Sequence, residues 1–311
     1  MNFKILVILA GPTAVGKTSL SINLAEFFNT EIVSADSRQI YEEMRIGTAV
    51  PGTDQLNAIP HHLVRYRSIS DYYNASMYEH DALAVLDDIF RKHPLAILTG
   101  GTGMYIDAIC YGIDELPSAD PEIREHLQQR LKKEGIESLR FDLKKLDPDY
   151  YGSVDLHNPK RILKALEICL ITGKPYSSFL KKKKIARPFK IVKIGLDLPR
   201  EELFDRINRR VDRMIAEGLV EEARLLYGQK HLNAMKTVGY RELFLHFDGS
   251  ITLGQAIDLI KRNTRHYARR QLTWFRKYQD MKWFHPDQEE EIKQHILDQL
   301  PGSYKRIQNN D

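Results

Sequence analysis

Residues 8 to 20 read ILAGPTAVGKTSL. Of all stretches in the chain, this one most narrows what it can fold into. An apolar run, KILVILA, meets Gly11, and a helical pattern with Leu20, Leu24, Phe27 and Phe28 follows. Between them Gly11, Gly16, Lys17 and Thr18 spell G-x-x-x-x-G-K-[ST]. The pattern carries meaning only between a strand and a helix, and it has both here. Glycines let backbone approach phosphate oxygens closely, and the loop N–H groups with the helix N-terminus favour an anion. Lys17 adds a point charge, and the Thr18 hydroxyl suits Mg²⁺. The cradle therefore spans Gly11, Pro12, Thr13, Ala14, Val15, Gly16, Lys17 and Thr18. It predicts a diphosphate or longer ligand, and it leaves the chemistry open.

The alternation around the cradle predicts the rest of the fold. TEIVSA is a second short strand, MYEHDALAVLDDIFRKH an amphipathic helix stopped by Pro94, and LAILTGG a third strand. Strand and helix in turn indicate an α/β fold, a P-loop NTPase-like parallel sheet flanked by helices. From about Leu116 to Pro188 the chain reads as helices, and IVKIGLDL then returns to strand character. In NPKRILKALEICLITG, Asn158 is the expected N-cap, Pro159 the first helical residue and Gly173 the stop. Ile162, Leu166, Cys169 and Leu170 form its expected core stripe. The expected organisation is a catalytic core of residues 1–115 with 189–311, interrupted by a helical insert of residues 116–188. Four further helical stretches fill most of the chain to Tyr278.

The 311 residues carry a net charge of +4, with 42% hydrophobic and 28% charged side chains, which fits a globular chain. Cys110 and Cys169 are too few and too far apart for a disulfide framework or a metal spacing, which suits a reducing cytoplasm. The apolar start is too short to span a bilayer and shows no cleavage site, so no membrane association is expected.

Two further motifs point at the crevice where an open parallel sheet receives its ligand. SADSRQIY puts Asp36 at a strand's C-terminal end. An ionised Asp there can take a metal or a proton, or it can cap a helix through QIYEEM. TGGTGMYIDAI places Thr102 at a strand-to-helix turn aimed at the same crevice. Adjacent His61 and His62 point apart and read as a loop. In IDLIKRNTRHYARRQLTWFRKY, Ile257, Ile260, Thr264, Tyr267, Gln271 and Trp274 share one side, and Arg262, Arg265, Arg269 and Arg276 the other. Lys160, Arg161 and Lys164, with the run Lys181 to Lys184, make the insert basic. A basic insert and a basic C-terminal helix together suit a nucleic acid.

The motifs occur together in one order. GPTAVGKTSL, SADSRQIYEEMRIGTAVP, PHHLV, LTGGTGMYIDAI, LPSADPEIR, NPKRILKALEI, TVGYRE and RRQLTWFR succeed one another. In this the chain resembles the bacterial tRNA dimethylallyltransferase (tRNA isopentenyltransferase) family over essentially its whole length. The resemblance implies transfer of a dimethylallyl group from dimethylallyl diphosphate to N6 of adenosine 37, beside the anticodon of tRNA, with Mg²⁺ required. It implies that Asp36 is the base, that Lys17 and the cradle hold the diphosphate with the metal on Thr18, and that Thr102 helps place the amine. Arg210, amid Arg206, Arg209 and Arg213, matches a family arginine near the donor. For tRNA contact it implies Asp36, Ser37, Arg38, Gln39 and Thr102 at the base. In the insert it implies Arg124, Lys160, Arg161, Ile162, Leu163 and Lys164, and towards the C-terminus Thr237, Val238, Gly239, Tyr240, Arg241 and Glu242. A cytoplasmic monomer is expected. The competing readings are a P-loop nucleoside or nucleotide kinase and a non-catalytic RNA-binding NTPase module.

Overall fold

A computed structural model describes residues 3–114, 116–117, 120–180 and 185–301. The chain divides into two compact units, Met1–Tyr111 with Ala186–Asp311, and Gly112–Ile185. The basic run Lys181 to Lys184 lies outside the described residues.

The larger unit is built on one sheet. Its strands are β1 (Ile5–Ala10), β2 (Ile32–Ser34), β3 (His61–His62), β4 (Leu95–Gly100), β5 (Lys190–Leu196) and β6 (Met281–Phe284). They lie in the order β3-β2-β4-β1-β5-β6 and every pairing is parallel. A parallel sheet covered on both faces buries its strands completely, so they read as unbroken apolar runs. All six residues of β1 are buried. The run around His61 and His62, expected as a loop, is instead the edge strand, paired with Ile32 and Val33. His62 Nε2 lies 2.6 Å from Glu31 Oε2, and His61 Nδ1 lies 2.7 Å from the Ile59 carbonyl. Two residues are too short a run for any periodicity to announce.

The helices of this unit that precede the insert are α1 (Lys17–Phe27), α2 (Thr53–Ala58), α3 (Ala75–Lys92) and α4 (Gly103–Tyr111). Asn74 starts α3 by accepting from the N–H groups of Ser76 and Met77. No helix follows Asp36. Residues 37–40, 42–43 and 46–49 form turns, with Tyr41 bridged to Arg67, and Asp36 Oδ1 accepts from Arg38 N–H at 2.9 Å and Gln39 N–H at 3.4 Å. The helix-cap expectation is corrected: the capping bonds form, and the chain turns without continuing into a helix.

The smaller unit contains α5 (Pro121–Glu134), α6 (Ile136–Leu146), α7 (Pro148–Tyr151) and α8 (Pro159–Thr172). The α8 boundaries follow from Asn158, whose side chain accepts from Arg161 N–H, and from Gly173, whose φ of 65° ends the helix. Leu127, Leu139, Leu143, Ile162, Ala165 and Leu166 form its core. Leu170 does not belong to it: this side chain is 47% exposed, so the apolar stripe ends at Cys169.

After the insert the larger unit continues with α9 (Arg200–Ala216), α10 (Leu219–Leu225), α11 (Tyr240–Phe247), α12 (Leu253–Phe275) and α13 (Glu289–Gln299). One apolar cluster joins β1, β5, α1 and α13, with Leu9, Leu24, Ile194 and Ile292 fully buried. Another joins α10, α11 and α12 to the segment around Ile40 and Met44. Each fully buried Leu or Ile contributes roughly 1.5–3 kcal/mol. The second cluster thus anchors the segment after Asp36 to the C-terminal helices. No helix among the described residues is long and apolar enough to cross a membrane.

Candidate functional site

The C-terminal ends of β1, β2 and β4 open into a cavity of about 1610 Å³. Its floor is the cradle. Gly16 stands at the start of α1 with φ 109°, a conformation that costs a side-chain-bearing residue about 1–2 kcal/mol. Gly11 is pressed against β5: a Cβ there would come within 2.8 Å of the Leu196 carbonyl. Thr13, Ala14, Gly16, Lys17 and Thr18 line the cavity, whereas Gly11, Pro12 and Val15 are buried beneath it.

Lys17 Nζ donates to the carbonyls of Gly11 at 2.9 Å and Pro12 at 2.7 Å. Burial pushes its pKa down to about 7. The Arg210 guanidinium pushes the same way, and the Asp36 carboxylate opposes both. Arg210 is itself held below its ordinary range by burial, with Asp36 again opposing and Arg213 adding to the fall. Lys17, Arg210 and Asp36 therefore sense one another electrostatically, two crowded cations facing one carboxylate. An anion entering between the cations relieves their repulsion. The α9 arginines are thereby told apart. Arg206 pairs with Glu202 at 2.8 Å and Arg209 with Asp205 at 2.5 Å, while the Arg210 charge acts on Lys17 and is itself opposed by Asp36.

On the opposite side of the cradle stands the Asp36 turn. Oδ1 is engaged by two backbone N–H groups, and no described residue donates a hydrogen bond to Oδ2. Ser37 N–H donates to Thr102 Oγ1 at 3.0 Å, and Thr102 N–H donates to the Ala35 carbonyl at 3.1 Å. These two bonds tie the loop after β2 to the loop after β4. Ser37, Arg38, Gln39 and Thr102 all line the cavity. Gln39 turns its amide inward, donating to the carbonyls of Thr48 at 3.1 Å and Ala49 at 3.0 Å, so it holds the neighbouring loop in shape.

The segment Thr237 to Glu242 divides. Thr237, Val238, Gly239 and Arg241 line the cavity. Tyr240 and Glu242 are buried in the packing. Tyr240 donates to Glu222 Oε1 at 2.6 Å, and Glu242 accepts from Gly239 N–H, Arg241 Nε and Asn263 Nδ2. In the insert, Lys160 and Arg161 are exposed, Leu163 and Lys164 are half-buried, and Ile162 is core. Arg124 Nη2 and Lys164 Nζ both approach Glu167 Oε2, at 2.9 Å and 3.8 Å.

Several wall residues carry no role in the sequence reading. The α12 residues Ile260, Thr264, Tyr267, Gln271 and Trp274 line the cavity. Their periodicity was the available signal, because they are the stripe opposite the arginines. Burial and the nearby Asp36 charge push the Tyr267 pKa above its ordinary value. Glu222 also lines the cavity and accepts from the N–H groups of Arg45, Ile46 and Gly47. Nothing local in the sequence around Glu222 announces this.

Among the described residues no cluster of three His, Cys, Asp or Glu side chains could hold a metal. The Thr18 hydroxyl lines the cavity and has no hydrogen-bond partner among them. A divalent ion that takes most of its ligands from a diphosphate and water fits that arrangement, and an all-protein cage does not.

The family described as IPP transferase matches residues 39–278. The chain is 53% identical over 291 residues to tRNA dimethylallyltransferase 1 of Bacteroides thetaiotaomicron, covering 94% of each chain. It is 55% identical over 283 residues to the tRNA dimethylallyltransferase of Christiangramia forsetii, covering 91% of this chain and 94% of the other. Among solved structures it is similar to the tRNA isopentenylpyrophosphate transferase of Bacillus halodurans, with TM-score 0.70, 36% identity and 94% and 96% of the two chains covered. It is also similar to a eukaryotic dimethylallyltransferase captured acting on tRNA, with TM-score 0.81, 26% identity and 96% and 80% covered. These likenesses do not favour a kinase.

Proposed function

The chain belongs to the IPP transferase family, and from this we propose that it moves a dimethylallyl group from dimethylallyl diphosphate to N6 of adenosine 37 in tRNA. The observation that carries the reading is the charge arrangement of one cavity: Lys17 and Arg210 crowded together on the cradle side, facing Asp36 with an open oxygen. Two cations beside a glycine cradle suit a departing diphosphate. A carboxylate across from them suits an amine that must lose a proton.

The step balances without a further reactant. The N6 lone pair attacks C1 of the donor, and a C–N bond forms as the C1–O bond breaks. The bonding pair leaves on the diphosphate oxygen, and the N6 proton passes to Asp36 Oδ2. Lys17, Arg210 and the cradle N–H groups at the start of α1 stabilise the growing negative charge, the kind of donor whose loss costs roughly 10²–10³ in rate. Thr102, fixed by its bonds to the Asp36 turn, orients the amine. Bound at Thr18 and the diphosphate, Mg²⁺ would supply Lewis-acid stabilisation of the leaving group. No phosphoryl transfer and no ATP hydrolysis take part.

The adenine must leave its stack to reach this cavity, at a cost of about a few kcal/mol. Arg38, Thr237, Val238, Gly239 and Arg241 would receive the flipped nucleotide and its neighbours. The exposed Lys160 and Arg161, with Arg124 and Lys164, give the insert a cationic face for the anticodon stem-loop. The enzyme would act as a cytoplasmic monomer.

The test incubates the protein with dimethylallyl diphosphate, Mg²⁺ and unmodified tRNA, then weighs the nucleosides. Dimethylallyl-adenosine at position 37 is the expected product. Folded protein that leaves the tRNA unchanged, or that phosphorylates a nucleoside instead, would overturn the reading.

A further inference from the structure

Two loops must hold their separation if an amine is to meet C1 of a diphosphate ester. One is the cradle after β1, and the other is the turn after β4 that carries Thr102. Their parent strands are paired, Ala10 opposite Gly100, but beyond those residues no sheet hydrogen bond joins them. Among the described residues a single side chain does. Thr13 N–H donates to Gln271 Oε1 at 2.9 Å, and Gln271 Nε2 donates to the Gly101 carbonyl at 2.9 Å.

The amide's orientation is dictated by its partners. A backbone N–H can only donate and a backbone carbonyl can only accept, so the oxygen must face Thr13 and the nitrogen Gly101. The staple is also rigid. Gln271 is 5% exposed, and its helical neighbours Ala268 and Phe275 are fully buried. Gly101 makes room for it: a Cβ there would come within 2.1 Å of Gln271 Nε2. From Gly101 the chain passes directly to Thr102, which binds the Asp36 turn through Ser37. A continuous path runs from the diphosphate loop to the carboxylate.

Resting on the transfer reaction proposed above, we infer that Gln271 is a positioning residue that fixes the distance between the donor's C1 and the attacking N6. Its amide is taken up by the two loops. Misplacing reacting groups by about 1 Å costs about 10²-fold in rate, so the staple acts on turnover and leaves donor binding to the cradle itself.

Gln271→Glu provides the test. Protonated, its carboxyl reproduces the amide pattern, with a carbonyl for Thr13 and an O–H for Gly101. Ionised, it turns a lone pair on the Gly101 carbonyl. Where that carboxyl is ionised its kcat should fall about 10²-fold, with donor KM within about threefold of wild type. The ratio of variant to wild-type kcat should then climb as pH falls, by up to about tenfold per unit while the carboxyl titrates. Gln271→Leu should be as slow and show no such recovery. Gln271→Leu with kcat near wild type would overturn the inference, and so would a raised donor KM with kcat intact. Wild-type protein offers a check that needs no variant to fold. The Thr13 amide should exchange its hydrogen slowly in the ligand-free enzyme, and exchange at a free-loop rate would sink the staple. Failure of the transfer reading looks different: wild-type enzyme yields no prenylated tRNA while Thr13 remains protected.

Discussion

The cradle and the wall facing it are built on opposite principles. The cradle is eight consecutive residues whose working groups are mostly backbone N–H. Its shape comes from Gly16 at φ 109° and from Gly11 pressed on Leu196, so few side chains matter to it. The acceptor wall gathers Asp36 to Gln39, Thr102, the loop from Arg45 to Gly52, and residues of α9 and α12. Side-chain hydrogen bonds hold it: Thr102 to Ser37, Gln39 to Thr48 and Ala49, Glu222 to Arg45, Ile46 and Gly47. Local backbone suffices for an anion, which needs only convergent N–H groups. Holding a flat base against a carboxylate needs groups that no short segment can present. The two regions should therefore fail in different ways when altered.

The sharpest contrast comes from Asp36→Asn. The amide keeps an oxygen for Arg38 N–H and Gln39 N–H, so the turn survives while the proposed proton acceptor is lost. Turnover should fall by roughly 10²–10⁴, the range for a general base, while donor affinity changes far less. Loss of donor affinity as well would mean that the two regions do not act separately. Lys17→Met attacks the other side. It removes a charge aimed at the leaving group, and kcat should drop by about 10² with donor KM rising too. If kcat fell and donor KM stayed at the wild-type value, Lys17 would act on the leaving group in the transition state alone and would not hold the bound donor.

A pH titration refines the same division with a smaller effect. Lys17 in the ligand-free protein titrates at about 7, well below its ordinary range. Diphosphate binds the charged ammonium and raises that pKa. Below about pH 7 the lysine is already charged, and donor affinity should not depend on it. Above, binding must take up a proton, so the donor Kd should rise by up to about tenfold per pH unit until the pKa of the complex is passed. Lys17→Arg keeps its charge throughout and should flatten this rise. A wild-type donor Kd that stays level from pH 7 to 9 would show that the cradle does not depend on Lys17 charge.

The same division explains what the sequence made legible. A contiguous motif with a strand before it and a helix after it announces the cradle, and apolar runs announce the buried strands β1, β4 and β5. The α8 caps are local too, so Asn158 and Gly173 fix its ends. Tertiary contacts decide the rest. Asp36 looks like the cap of a helix because the capping bonds are local, but Ile40 and Met44 are drawn into the cluster with α10, α11 and α12, and the segment turns instead. His61 and His62 become a strand only because Ile32 and Val33 lie beside them. Gln271 was visible as a member of a stripe, but its partner Thr13 lies 258 residues away, beyond any local pattern. Tyr240 and Glu242 sit among motif residues that line the cavity, and only their burial assigns them to the frame.

The smallest expected effect tests that frame directly. Glu222 Oε2 accepts from the N–H groups of Arg45 at 3.0 Å and Ile46 at 2.8 Å, and Oε1 accepts from Gly47 N–H at 2.9 Å and from the Tyr240 hydroxyl at 2.6 Å. The loop is tight here, since a Cβ on Gly47 would come within 2.5 Å of the Tyr240 ring. A carboxylate is an acceptor at both oxygens, and that is what four donors need. In Glu222→Gln one end becomes an NH₂ group: at the Oε2 position it faces two backbone N–H groups, and at the Oε1 position it faces the Gly47 N–H, where only the Tyr240 hydroxyl can turn to accept. The cost of those unmet bonds is about 1–3 kcal/mol, read as a lowered Tm. Donor affinity should stay at the wild-type value, because the cradle shares no hydrogen bond with Glu222, while kcat for tRNA falls about threefold as the loop loosens. An unchanged Tm would mean that the loop is held by its packing against Tyr240 alone. A loss of donor binding would instead join the frame to the cradle and erase the distinction between the two sides.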